Sequence, residues 1–510
     1  MRLFLFAIGG TGARVVRSLT MMLASGIDGL DSSTEIVPII IDYDLSNGDK
    51  TRAIKALEGY SAIHQSLYPD IAQGKQYTDH FFMTTLTPLS HAGVANANPN
   101  LKNFEFNFGP AGNAVKFSDY LNMQALNTMP NVKLTEDLLY ALYDSSDGTS
   151  KNAELELDMA KGFKGNPNIG SVVFHDLRES DEFIQFQSTF NAITDKVFIV
   201  SSIFGGTGAS GFPEIVNAIR TSDLATLNSA TIGSALVLPY FDLQQFHPER
   251  GDTGAIDASS FNAKTRAALS FYAANGGINS NVNALYYIGD ENHDAYDYNE
   301  GENRQKNDAH IVEFVAASAI IDFLLRPVAN HRAYEFSIKD AKVQQSIQLP
   351  DFEESTNKLF LNNLSAFVIA MKYYREVICG DRNKISDSTA YYKGDRFGLS
   401  AKLGNGVYSL LDDFLNASYT AAQDWGFYPW LKELQTHTHK LGPYVLDKTH
   451  DMREVLSHKV IRVTGINPIK DDTLSKELNE SSKGLSNYSD QTFFKVLRNV
   501  MKAKYEQVKK

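Results

Sequence analysis

Cysteine is almost missing from this sequence. Cys379 is the single one in 510 residues, which excludes an internal disulfide and a cysteine-based zinc site and sets the cytoplasm as the expected location. Long apolar runs are missing too: no uninterrupted stretch reaches the roughly 20 residues that a membrane helix needs. The start, Met1-Arg2-Leu3-Phe4-Leu5-Phe6-Ala7-Ile8, is apolar but passes straight into glycines, Arg14 and Arg17, and reads as a first strand, not a leader. Positive charge is in deficit, and a net charge of −12 argues against broad nucleic-acid binding, which relies on Lys and Arg neutralising phosphates. What the chain does have is length and an ordinary 43% of hydrophobic residues, so two or more domains are expected.

The stretch around which the rest is organised is Val197 to Gly211. Its β-branched run reads as a buried strand, Gly205-Gly206-Thr207-Gly208-Ala209-Ser210-Gly211 demands a tight turn, and Glu214 to Arg220 resumes a helical period. A strand, glycine loop and helix in that order put backbone N–H groups and a helix dipole where a phosphate can sit. A glycine turn that binds nothing is the bland alternative. Near the start, Leu3 to Ile8, Gly9-Gly10-Thr11-Gly12-Ala13 and a helix through Val15, Leu19 and Leu23 repeat the same logic. This first loop also suits a Rossmann dinucleotide site, with Asp42, after the strand Glu35–Ile41, taking ribose hydroxyls.

Other segments are read in the same way. Gly170 to Phe174 is expected as a short strand, Leu134 to Tyr143 as helix, and Ala230 to Pro239 and Asn283 to Gly289 as core strands. Phe261 to Asn275 reads as a helix, Asp290 to Lys306 as an exposed charged insertion, and Asn307 to Pro327 as a helix apolar nearly all round, capped by Asn307. Period leaves Leu361 to Tyr374 and Val407 to Leu415 undecided between strand and helix. His437 and His439, with His450 and His458, lack acids at metal-ligand spacing and read as surface residues. The end, Phe493 to Lys510, is a basic amphipathic helix expected to pack on its own domain, with docking on an acidic partner or anionic membrane as alternatives.

The loop at Gly205 resembles the signature loop of the tubulin/FtsZ superfamily, a Gly-Gly-Gly-Thr-Gly-Ser-Gly run, with one glycine missing and an Ala inserted. Further matches follow in the family's order. Asp42-Tyr43-Asp44 is similar to the acid pair whose second member lies near the nucleotide's magnesium. Gly112-Asn113 resembles the loop that senses the terminal phosphate, Asn262 falls on an asparagine that bonds guanine, and Asn307-Asp308 resembles the start of the central helix beside the base.

The resemblance implies an α/β protein of bacterial or phage tubulin-like type. It would have a Rossmann-like GTPase domain (1–306), a central helix (307–327), a smaller α+β second domain (328–480) and a basic C-terminal helix (481–510). It would bind GTP (or GDP) with Mg²⁺, the metal supported by Asp44, and assemble head to tail with copies of itself into filaments. Nucleotide contacts would come from Gly9, Gly10, Thr11, Gly12, Ala13, Asp42, Gly112, Asn113, Gly205, Gly206, Thr207, Gly208, Ala209, Ser210, Asn262 and Asn307. The family's hydrolytic Asn-x-Asp motif has no counterpart after Pro327, where Glu335, Asp340 and Asp351 are loose candidates, so hydrolysis stays open. The alternatives are a non-hydrolysing nucleotide-gated scaffold that recruits a protein partner, and an NAD(P)-dependent oxidoreductase.

Overall fold

The computed structural model describes the chain except residues 45, 94–96, 109–114, 127–131, 144–153, 245–259, 275–276, 292–293, 300–304, 327–331, 336–345, 348–360, 381–395, 416–423, 445–468 and 509–510. The frame is a parallel sheet of β1 (Arg2–Ile8), β2 (Glu35–Ile41), β3 (Thr85–Leu86), β4 (Glu105–Phe106), β5 (Asp195–Ser202), β6 (Thr231–Val237), β8 (Ala284–Ile288) and β10 (Arg332–Glu335). Its order is β10-β8-β6-β5-β1-β2-β3, with β4 also on β2. Two further strands, β7 (Phe241–Leu243) and β9 (Asp294–Tyr296), pair with each other apart from it. The chain runs outward from β1 to β3, then returns to β5 on the other side of β1. That reversal leaves a crevice at the carboxyl ends of β1 and β5, where open α/β sheets bind ligands.

Register makes the crevice flush. Ile8 pairs with Ile41 on one side and with Ser201 on the other, so β1, β2 and β5 end level. Period-two alternation divides β1 between two cores. Leu3, Leu5 and Ala7 join one face, with the central helix and the C-terminal helices, whereas Phe4, Phe6 and Ile8 join the other with Phe186, Phe212 and Ile215.

The helices that matter for the site are α1 (Gly9–Ala24), α2 (Gly48–Leu67), α3 (Pro167–Val173), α4 (Gly206–Arg220), α5 (Phe261–Ala273) and α6 (Ile311–Leu325). After them come α7 (Asn362–Tyr373), α8 (Gly406–Leu415), α9 (Phe427–Glu433), α10 (Asp471–Ser481) and α11 (Asp490–Val508). The two stretches that period left undecided are therefore helices α7 and α8. The basic end, α11, packs on α7 and α10 and fixes Arg498 and Lys502 to Asp28 at 3.0 and 2.6 Å. Among the described residues no helix is long and apolar enough to cross a membrane.

Several expectations change. Gly170 to Phe174 is not a strand: Pro167 at the first helical position starts α3, and Gly170 is there because a Cβ would meet Ser210 Oγ of α4 at 2.2 Å. The central helix starts at Ile311 and not at Asn307, since His310 accepts from Val312 N and Glu313 reaches back to His310 N at 3.1 Å, a capping box. The expected helix around Leu134 covers Val132–Leu142. Nor is Asp290 to Lys306 simply an exposed insertion, because Tyr296 and Tyr298 are buried.

Candidate functional site

Both glycine turns belong to their helices. Gly9 is the first residue of α1, left-handed at φ +69°, and Gly205 is the residue before α4; neither helix has a side-chain cap. The first-turn N–H groups of both helices are thus left for a ligand, and both dipoles favour an anion at the same place. They meet closely: a Cβ on Gly9 would stand 3.6 Å from Thr207 Cβ and 3.9 Å from Gly208 N.

A cleft of about 150 Å³ opens there. Of the residues expected at the site, Gly9, Gly10, Thr11, Asp42, Gly205, Gly206, Thr207, Gly208 and Asn307 line it. Four others serve the scaffold. Gly12 lets α1 lie against β1 and β5, where a Cβ would meet the Ala7 carbonyl carbon at 2.6 Å, and Ala13 is fully buried in the core. Pro213 inside α4 has no N–H for the Ala209 carbonyl, and Tyr272 of α5 donates its hydroxyl to that oxygen instead at 2.8 Å. Ser210 turns back to the Gly206 carbonyl at 2.7 Å.

Asn262 is exposed and does not line the cleft; its neighbour Phe261 does. Phe204, Phe241 and Phe261 form an aromatic wall with ring centroids 5.0 to 5.9 Å apart, a surface on which a base can stack. Gly112 and Asn113 lie outside the described residues, as do Asp340 and Asp351 and the side chain of Glu335. Asp44 is buried and is not on the cleft wall; its Oδ1 accepts from Ser46 N and Oγ at 3.0 and 3.1 Å. Among the described residues the acids on the wall are Asp42 and Asp297.

Asp42 is the unusual group. Its oxygens accept from Asp44 N at 3.2 Å and Asn47 Nδ2 at 3.1 Å, yet burial pushes its pKa up to about 7 against the opposing charge of Lys50. Lys50 itself is buried and its ammonium makes no hydrogen bond among the described residues. Asn47 caps α2, accepting from Asp49 N at 2.8 Å and donating to Gln305, another wall residue, at 3.0 Å.

Below the first loop lies an ion network that sequence reasoning missed. Arg14 is 2.6 Å from Asp49 Oδ2, 2.5 Å from Glu313 Oε1 and 2.7 Å from the Tyr240 hydroxyl, which donates to Glu313. Asp49 also holds Arg52 at 2.7 Å and the backbone N of Asn307 at 3.0 Å; Arg52 and Arg17 then share Glu433 of α9. Nothing in single-sequence spacing joins residues 14, 49, 313 and 433.

His437 is not a surface residue. It is half-buried beside half-buried Asp294 and buried His310, and the ligand atoms of the three lie close enough to suggest a metal. The cap argues otherwise: His310 Nδ1 accepts from Val312 N, so Nε2 carries the proton and donates to Asp294 at 3.3 Å, leaving that ring no lone pair for an ion. Burial opposes the Asp294 charge, but bonds from His310 and Thr438 hold its pKa well below the usual carboxylate range. The cluster is a latch between β9, α6 and the segment at 437. His439 is likewise tied to Asp290, at 2.7 Å. His450 and His458 lie outside the described residues.

Sequence reasoning also missed Lys161-Gly162-Phe163-Lys164-Gly165, which forms a further wall of the cleft. Its alternating glycines and lysines were the available signal. Compared with known proteins, the chain matches no protein-family model and no curated protein.

Proposed function

We propose that the cleft binds a nucleotide by its phosphates and that the protein is a tubulin/FtsZ-like GTP-binding protein. The observation that carries this is the meeting of two uncapped, glycine-led helix N-termini, α1 and α4, at the reversal point of the parallel sheet. Single glycine loops are common; two converging on one cleft make a polyphosphate site. Phosphates lie over Gly9 to Thr11 and Gly205 to Gly208, the base stacks on the phenylalanine wall, and Asn307 offers its edge both a donor and an acceptor.

Mg²⁺ enters with the polyphosphate in this reading. The water shell of the ion would be held by Asp42 and Asp297 on the cleft wall and by Asp44 beside the wall residue Gly162, all as acceptors. Head-to-tail contacts between copies do not close on themselves and give filaments. Hydrolysis remains an expectation of the resemblance alone.

The sheet order also fits a dinucleotide site, but there Asp42 would meet ribose as an ionised acceptor, and its carboxyl is already bonded and half protonated near pH 7. Titration of the purified protein with a fluorescent guanine nucleotide, competed by GTP, ATP and NADH, tests the assignment. Competition by GTP and not NADH is the expected result; binding of NADH alone overturns it.

A further inference from the structure

Resting on that reading, we propose that Asp294 is a positioning residue for the nucleoside side of the cleft, and that Thr438, in the C-terminal part of the chain, holds it in place. Recognition of the nucleoside then depends on a contact made 144 residues further along the chain, while the grip on the phosphates does not.

Asp294 stands where three wall-bearing segments meet. On β9 it is the register partner of Phe241 on β7, and Leu243 of β7 is the partner of Tyr296. Phe241 and Leu243 line the cleft, and so does Asn299, just after β9. The third segment is the approach to α6. His310, its cap, donates Nε2–H to Asp294 Oδ2 at 3.3 Å, and Tyr296 donates its hydroxyl to the Asp308 carbonyl at 3.0 Å, beside the wall residue Asn307. These wall residues are separate from the glycine loops that take the phosphates.

The grip on Asp294 comes from Thr438. Its backbone N donates to both carboxylate oxygens, at 3.0 and 3.1 Å, and its hydroxyl donates to Oδ1 at 2.7 Å. Bonds to an ionised acceptor are the strong ones, and the low pKa of Asp294 keeps it ionised. Thr438 is exposed, yet the turn that carries it is fixed on both sides. Leu441 N donates back to the Leu434 carbonyl at 2.9 Å, His439 is tied to Asp290 at 2.7 Å, and Thr436 donates to Asp308 at 3.4 Å. The turn follows α9, whose Glu433 accepts from Ala309 N at 2.8 Å.

An exposed threonine bonded to one carboxylate adds no apolar core. What it adds is a fixed place for β9 and, through the pairing of β9 with β7, for Phe241. A stacking surface and the groups that read a base work only while they stay within about 0.5 Å of their places. Loosening Asp294 therefore costs nucleoside binding first.

The test titrates the full chain by calorimetry with GTP and with tripolyphosphate, for wild type, Asp294→Ala, Thr438→Val and Thr438→Ser. Both titrations are run in EDTA, so that the share of Asp297 in the ion's shell does not enter. Asp294→Ala is expected to weaken GTP about tenfold and Thr438→Val about threefold, while tripolyphosphate changes by less than about twofold and Thr438→Ser stays close to wild type. A merely structural role lowers both affinities together; that result, or unchanged GTP binding, overturns the assignment while leaving the site reading intact. A wild type that binds neither compound, or tripolyphosphate alone, overturns the site reading as well. Should Asp294→Ala fail to fold, Thr438→Val, at an exposed position, gives the same comparison.

Discussion

At the residue scale the site depends on glycines that cannot be replaced and on one carboxyl, Asp42, whose pKa burial raises to about 7. A Cβ on Gly208 would meet the Ser202 carbonyl oxygen at 2.2 Å, so Gly208→Ala must push α4 off β5. We expect a loss of about 1–3 kcal/mol, read as a lower denaturant midpoint; unchanged stability would show that the loop is not packed as described. Asp42 makes a pH prediction. Its folded pKa of about 7 lies above the usual unfolded value near 3.9, so its contribution to stability is complete below about pH 4 and is lost as pH rises through 7. Asp42→Asn removes that titration and should gain on wild type by up to about 4 kcal/mol between pH 4 and pH 8; a stability difference flat with pH contradicts it. The glycines were legible in the sequence because a tight turn and a close approach are local demands. Asn262 was not: one helical step separates it from Phe261, and a resemblance cannot fix which of the two faces inward.

At the scale of elements, β1, β2, β5, β6 and β8 were readable because strands buried on both faces are continuous apolar runs. The central helix was readable as well, but its start was not, since His310 with Glu313 forms a capping box where Asn307 looked the better cap. The loop at 161–165 escaped for the opposite reason: irregular backbone has no period to detect. Arg14 ties α1 to α2 and α6, and through Asp49, Arg52 and Glu433 the junction continues to α9. Arg14→Ala leaves Glu313 buried without its cation and Asp49 with Arg52 alone, and should destabilise the chain by about 3–5 kcal/mol in chemical denaturation. A loss below 1 kcal/mol would mean that solvent already reaches this junction.

For the whole molecule, the doubly wound sheet places the cleft at one end of its strands, and α9 reaches the same junction from the C-terminal part of the chain. The tubulin-like account expects the protein to sediment with GTP and Mg²⁺ at a concentration where it stays in solution with GDP; a nucleotide-loaded chain that remains monomeric at high concentration would count against assembly. The central claim is narrower than assembly, and one measurement reaches it most directly: the identity and amount of nucleotide released when the purified protein is denatured and its supernatant resolved by anion exchange, followed by GTP titration of the emptied protein. The account predicts guanine di- or triphosphate, or saturable GTP binding at about one per chain. NAD(P) in the supernatant, or an emptied protein that takes up no GTP, would contradict it.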